Sequence, residues 1–245
     1  MSKIKGKKVL IIGGSSGIGA ETTRMLAEEG AEFIISSNRE EADRRMVEEI
    51  GKKGNFVTSF SGDFTEKDFA KRLFDFAEKT FGVPDIIISC AGIQEDNLRM
   101  GNIPGSIIEK IFKVNVTGPY MILQEGVRRL KEADKYGKII LIGSVCTHYT
   151  CTDGIFPIYT ASKAALVSLV ESTRRQICKE GNKIGFTLVC PGTTNTPLVM
   201  RNGGQPSDSF MEPEHVASCI LAAAMLPNEV SITDMTMINV QQDIW

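Results

Sequence analysis

Short apolar runs alternate with longer amphipathic stretches along the whole chain. The runs fall at 9–12, 33–35, 55–59, 86–88, 139–142, 186–189 and 235–240. Most of them lack a strict in/out alternation, the pattern expected of strands in a parallel sheet covered on both faces. Between them, helical periodicity predicts helices over 18–29, 39–51, 66–81, 106–133, 159–179 and 213–225. Such regular alternation predicts a doubly wound α/β fold: a parallel sheet of about seven strands, helices on both faces and right-handed crossovers. With no internal repeat and no linker, the reading is one domain over 1–245, with its loosest segments at 101–105 and 203–209.

Composition narrows the class. At 245 residues, 42% hydrophobic and 24% charged, the chain suits an ordinary globular protein with a sizeable core. Its 28 basic and 30 acidic residues leave a net charge of −2. That balance argues against a nucleic acid or an anionic membrane as partner. The Arg128, Arg129, Lys131 run reads as a solvated helix face. Six cysteines carry no C-x-x-C spacing and have only His148 and His215 for company, so no metal site is expected. They read as core or pocket lining, and His215 as surface. The basic start leads into only four apolar residues, and no run reaches the ~20 needed to cross a bilayer, so a reduced, cytoplasmic location is expected.

Candidate chemistry begins at the first strand's end, where Gly13-Gly14-Ser15-Ser16-Gly17-Ile18-Gly19 leads into a helix. Glycines permit a sharp turn and close approach of backbone to a pyrophosphate, while the helix start offers N–H groups and a favourable dipole. A glycine turn alone says little; its place between a strand and a helix makes nucleotide binding the stronger reading. A second cluster, Tyr159-Thr160-Ala161-Ser162-Lys163, sets a phenol and an ammonium at i and i+4, on one helical face. A free phenol titrates near pH 10, but a neighbouring cation favours the phenolate and makes it usable as a general acid or base. A surface Tyr/Lys pair is the plain alternative.

Taken together these motifs resemble the short-chain dehydrogenase/reductase family in its form of about 250 residues. Gly13 to Gly19 look like its cofactor turn, with Ile12 where a threonine is usual. Asp63 and Phe64 look like the segment whose acidic residue touches the adenine. Cys90, Ala91 and Gly92 match the N-N-A-G strand end in its last two positions, with Cys90 in place of an asparagine. Asn115, Ser144 and the pair Tyr159 and Lys163 match the family's catalytic set. Pro191, Gly192, Thr194 and Thr196 match the segment that holds the nicotinamide half.

The resemblance implies reversible hydride transfer between a nicotinamide and a ketone or secondary alcohol. Tyr159 would be the general acid/base and Ser144 the partner of the carbonyl oxygen. Lys163 would support the phenol and bind the nicotinamide ribose. Asn115 would hold a water of a proton relay. The resemblance further implies a homotetramer or dimer joined through helices near 106–133 and 159–179. The chain end, from Ile238 to Trp245, lacks a V-D-G-G finish and is more like the branch acting on serine and small 3-hydroxy acids.

The second strand ends in Ser36-Ser37-Asn38-Arg39, with uncharged Ser37 where a carboxylate would favour NAD(H). Arg39 suits a 2′-phosphate, so Ser37 and Arg39 are expected to favour NADP(H), with NAD(H) as the alternative, and Ser15, Ser16 and Asn38 are expected among the cofactor contacts. Substrate loops are expected near 93–105, 145–158 and 197–212, the last a flexible lid. His148, Tyr149 and Phe156 are the candidate substrate residues for a small carbonyl or alcohol, with Arg99 and Arg201 as candidates for an acidic substrate group. A 3-oxoacyl-carrier-protein reductase and a non-catalytic nucleotide sensor are the competing readings.

Overall fold

A computed structural model describes residues 4–96, 100–150, 155–181, 183–201 and 203–242. Seven strands form one sheet: β1 (Lys8–Ile12), β2 (Glu32–Ser36), β3 (Val57–Ser59), β4 (Ile86–Ser89), β5 (Gly137–Ile142), β6 (Ile184–Pro191) and β7 (Asp234–Met237). Their order is β3-β2-β1-β4-β5-β6-β7, with every pairing parallel. The chain therefore winds outward twice from the β1/β4 pair, and that reversal opens a crevice above the carboxyl ends of the strands.

Both faces of the sheet are buried, which explains the continuous apolar runs. Val9, Ile11, Phe33, Ile35, Ile86 and Ile88 point to one face, where they meet α1 (Gly17–Glu28), α2 (Glu40–Gly51) and α8 (Pro213–Met225). Their neighbours Leu10, Ile12, Ile34 and Ile87 point to the other, against α3 (Phe69–Thr80), α5 (Gly118–Glu132) and α6 (Pro157–Lys179). In α3 the buried Phe69, Ala70, Leu73, Phe74 and Ala77 recur at helical spacing, so one stripe covers the sheet.

The predicted helix over 106–133 is divided. It forms α4 (Gly105–Phe112), a π-helical turn over Lys113–Thr117, and α5. Pro119 has no N–H for the carbonyl four residues earlier, and its ring crowds that carbonyl. The ladder widens instead, and Gly118 N–H bonds to the Lys113 carbonyl.

Two further expectations are corrected. Arg129 is buried, not solvated, because Asp75 and Glu78 of α3 and Glu125 of α5 surround its guanidinium. Cys178 is exposed near the end of α6 instead of joining the core, while Cys151 lies outside the described residues. Among the described residues no helix is long and apolar enough to cross a membrane.

Candidate active site

A cleft of about 1120 Å³ lies above the carboxyl ends of β1, β4, β5 and β6. One end is the glycine turn. Gly13 has a φ of +79°, and its N–H bonds to the Ser36 carbonyl, which locks β1 to β2. A side chain on Gly19 would place its Cβ 2.0 Å from the Gly13 carbonyl oxygen. Ser16, the N-cap of α1, makes no side-chain cap, and no acidic residue occupies the first turn. The helix start is thus left to offer its N–H groups and dipole to an anion. Thr196 faces this turn from across the cleft, its methyl 3.4 Å from where a Gly17 Cβ would stand. A dinucleotide's pyrophosphate fits such a backbone cradle, which any side chain would fill.

Beside the turn, Ser37, Asn38 and Arg39 line the cleft. Arg39 Nη2 donates to Ser16 Oγ at 2.7 Å, and its N–H to Ser37 Oγ at 3.0 Å. Ser15 stands behind, its hydroxyl 3.3 Å from that of Ser37. The carboxylate of this region is Asp43, fully buried on α2. It accepts from Ser37 N–H and hydroxyl and from the Ser61 hydroxyl, at 2.7–3.0 Å. Asp63 and Phe64 line the adjoining wall. Burial raises the Asp63 carboxyl's pKa, but the Thr65 hydroxyl and N–H outweigh it and hold the group below the ordinary range.

The other end collects the candidate acid–base groups. Lys163 Nζ donates to the Ile142 carbonyl at 2.8 Å and lies 5.6 Å from the centre of the Tyr159 ring. Burial pushes its ammonium down to about 8. Ser144 follows β5, and its N–H bonds to Thr147 Oγ1 at 2.8 Å. Its hydroxyl accepts from Cys146 N–H at 3.2 Å, which leaves the hydroxyl hydrogen to donate. Cys90, Ala91 and Gly92 form the floor between these groups, and burial pushes the Cys90 thiol up to about 12, so it is a neutral filler. Pro191, Gly192 and Thr194 close the far wall, with Gly192 N–H bonded to the Met237 carbonyl.

Asn115 sits in the π-helical turn, buried behind the wall. Its Oδ1 accepts from Ile93 N–H, and its Nδ2 donates to the Ile93 carbonyl and to Ser162 Oγ. Both amide hydrogens are engaged, so this side chain braces the loop after β4.

Of the candidate substrate residues, Tyr149 and Phe156 line the cleft, and so does Arg201. His148 instead pairs with Asp234 of β7, its Nε2 2.9 Å from Oδ2. Arg99 lies outside the described residues. The expected flexible lid opens with a short helix, α7 (Pro197–Arg201), and Asn195 ties it back through both main-chain groups of Ser207.

The glycine cradle, the tyrosine–lysine pair and the serine share one cleft. The profile of the short chain dehydrogenase family matches residues 7–206. The chain belongs to that family.

Among its relatives, a farnesol dehydrogenase of Aedes aegypti is 25% identical over 97% of each chain. A 3β-hydroxysteroid dehydrogenase of Eggerthella lenta is 28% identical over 93% of this chain and 86% of its own. An alcohol dehydrogenase of the archaeon Thermococcus sibiricus, solved with 5-hydroxy-NADP, superposes with a TM-score of 0.87 at 20% identity. It covers 98% of this chain and 99% of its own. A serine dehydrogenase of Escherichia coli superposes at 0.83, with 20% identity over 96% and 99%. These two structures share the fold. This short-chain dehydrogenase is a nicotinamide-dependent oxidoreductase acting on alcohol or carbonyl groups.

Three residues that brace the surroundings of this dehydrogenase's cleft were not evident in the sequence. Asp43 looks like one more acid in a helix's first turn, and only its burial reveals it. Gln242 holds Thr193 through both its amide atoms, across 49 positions. Glu95 reaches the start of α6 over more than 60 positions.

The crowding at Gly19 makes a direct prediction. Gly19→Ala is expected to lose binding of the nicotinamide cofactor, NADPH or NADH, and to lower stability by about 1–3 kcal/mol, the usual cost of forcing atoms into a packed site. Thermal melting and fluorescence titration read the two effects, and wild-type binding would remove the cradle from the site.

Proposed function

We propose that the chain is an NADP(H)-dependent reductase of apolar ketones, running reversibly to secondary alcohols, with Tyr159 as general acid/base. The observation that carries this reading is the convergence of Tyr159, Lys163 and Ser144 on one cleft with the glycine cradle. The bound nicotinamide supplies or accepts the hydride. Tyr159 gives a proton to the carbonyl oxygen in reduction and takes it from the alcohol in oxidation. Ser144, with its hydroxyl hydrogen free to donate, holds the same oxygen. Lys163 lies under the phenol and favours its ionised form. Asn115 keeps the loop after β4 in register with α6.

The preference for NADP(H) rests on charge. Asp43 is buried and engaged by three donors from Ser37 and Ser61, which leaves it unsuited to hold a ribose hydroxyl. Arg39 stands in the cleft beside Ser16. Arg39→Ala is expected to weaken NADPH binding by ~10–100-fold, the loss of a charge-assisted hydrogen bond, while leaving NADH binding within about twofold. Parallel fluorescence titrations check this, and equal loss for both nucleotides would assign Arg39 a structural part only.

Val145, Tyr149, Ile155, Phe156, Leu198 and Phe210 make the substrate end of the cleft largely apolar. That lining, together with relatives named for farnesol and a 3β-hydroxysteroid, supports an apolar substrate over a small hydroxy acid. Ile108 of α4 and Tyr120 of α5 are large, exposed and apolar, which supports association of copies through these helices.

A further inference from the structure

Helix α6 carries Tyr159 and Lys163, and its first turn is assembled with parts from elsewhere. The N-cap residue is Phe156, held at φ +56° and ψ +50°, with no side chain able to cap. A non-glycine residue in that region is held there by its surroundings. Pro157 follows at the first position, where its missing N–H costs nothing. Two N–H groups then remain, those of Ile158 and Tyr159, and both bond to Glu95. Oε1 accepts from Ile158 at 2.8 Å and from Tyr159 at 3.2 Å, while Oε2 accepts from Tyr159 at 2.9 Å.

Glu95 is only 2% exposed, an unusual place for a carboxyl outside the acid–base set. It belongs to the loop after β4, whose preceding residues Ile93 and Gln94 line the cleft. The carbonyl of Tyr159 is held as well: Ser162 Oγ donates to it at 2.7 Å and accepts from Asn115 Nδ2. Asn115 in turn grips both main-chain groups of Ile93. Tyr159 is therefore clamped at its N–H and at its carbonyl, and both clamps lead back to the same short loop.

We propose that Glu95 is a positioning residue for the acid–base pair, a cap supplied in trans that fixes where the first turn of α6 holds the Tyr159 phenol. The inference rests on the part assigned to Tyr159 above. An ordinary helix cap could come from the N-cap side chain itself. Drawing it from a cleft-lining loop makes the place of the phenol depend on the substrate wall, and misplacement by about 1 Å is enough to cost 10²-fold in rate.

The test uses the full-length protein labelled with 3-fluorotyrosine and saturated with NADPH. The Tyr159 resonance is assigned by its loss in Tyr159→Phe, and amide exchange is followed by mass spectrometry. Glu95→Ala is expected to shift and broaden the 159 resonance. It should also speed exchange at the start of α6 at least tenfold, with NADPH affinity and exchange elsewhere within about twofold. Glu95→Gln keeps an oxygen able to accept from both N–H groups and is expected to recover most of both effects. An unmoved resonance in Glu95→Ala would overturn the proposal. So would faster exchange spread over the whole chain, the mark of a purely structural residue, or a Gln variant as disturbed as the Ala one. None of these readouts needs turnover, so a failed assignment of Tyr159 as the acid would show separately, as activity retained in Tyr159→Phe.

Discussion

Tyr159→Phe is expected to abolish turnover while NADPH binds with nearly unchanged affinity. The substitution removes one oxygen and its proton and keeps the ring, so the packing of α6 against the cleft persists. Acid–base catalysis by a positioned side chain is typically worth ~10²–10⁴-fold, the size of loss expected when the phenol is removed. Ser144 can donate a hydrogen bond, but its hydroxyl already accepts from Cys146 N–H, and an aliphatic hydroxyl gives up its proton far less readily than a phenol. Steady-state rates with a ketone such as acetophenone, alongside NADPH titration, check the outcome. Wild-type-like turnover would exclude the phenol as the proton donor.

Lys163→Met is expected to lose catalysis and gain stability. The ammonium is buried, and burial pushes its pKa from 10.5 down to about 8. Between those two values the unfolded chain binds the proton and the folded protein does not, so stability rises with pH across this window. Below pH 8 the folded protein carries the charge and bears the whole penalty, about 3 kcal/mol for a displacement of that size. Methionine removes the penalty but takes this donor from the buried Ile142 carbonyl, a cost of about 1–3 kcal/mol, so the net gain at pH 7 is at most about 2 kcal/mol. Denaturant unfolding at pH 7 and across pH 8–10.5 reads both parts. The variant should be more stable at pH 7 and lose the rise between 8 and 10.5. A variant less stable than wild type at pH 7 would mean that the charge is well solvated in the fold. The proposed chemistry would account for keeping an unfavourable charge at this point, since a cation close to the phenol favours its ionised form.

The features that the sequence displays are those encoded by neighbours in the chain. Strands β1, β2, β4 and β5 carry three or four consecutive apolar residues because both faces are buried, and that pattern is visible within a few positions. The turn from Gly13 to Gly19 is legible for the same reason, since its backbone needs fall within seven consecutive positions. Tyr159 and Lys163 are one helical turn apart, so spacing alone places them on one face. Boundaries move where a single residue intervenes: Pro157 starts α6 two residues earlier than expected, and Pro119 divides the long predicted helix.

Other features are decided only when distant segments meet. Asp43 differs in no local respect from Glu40 or Glu41, yet of the three it alone is buried, beneath Ser37, where it accepts from Ser37 and Ser61. His148 lies in the 145–158 loop expected to line the pocket, but it turns to Asp234, 86 residues away on β7. Arg129 is indistinguishable from Arg128 in sequence, and three carboxylates on two helices account for its burial. Glu95 caps a helix more than 60 residues on, and no spacing rule links the two. Local periodicity and backbone geometry thus determined the sheet, the glycine turn and the face of α6 that carries Tyr159 and Lys163, because each follows from residues a few positions apart. Which carboxyls brace the site and which line it was decided by tertiary packing, because burial and hydrogen-bond partners exist only between segments that the fold has brought together.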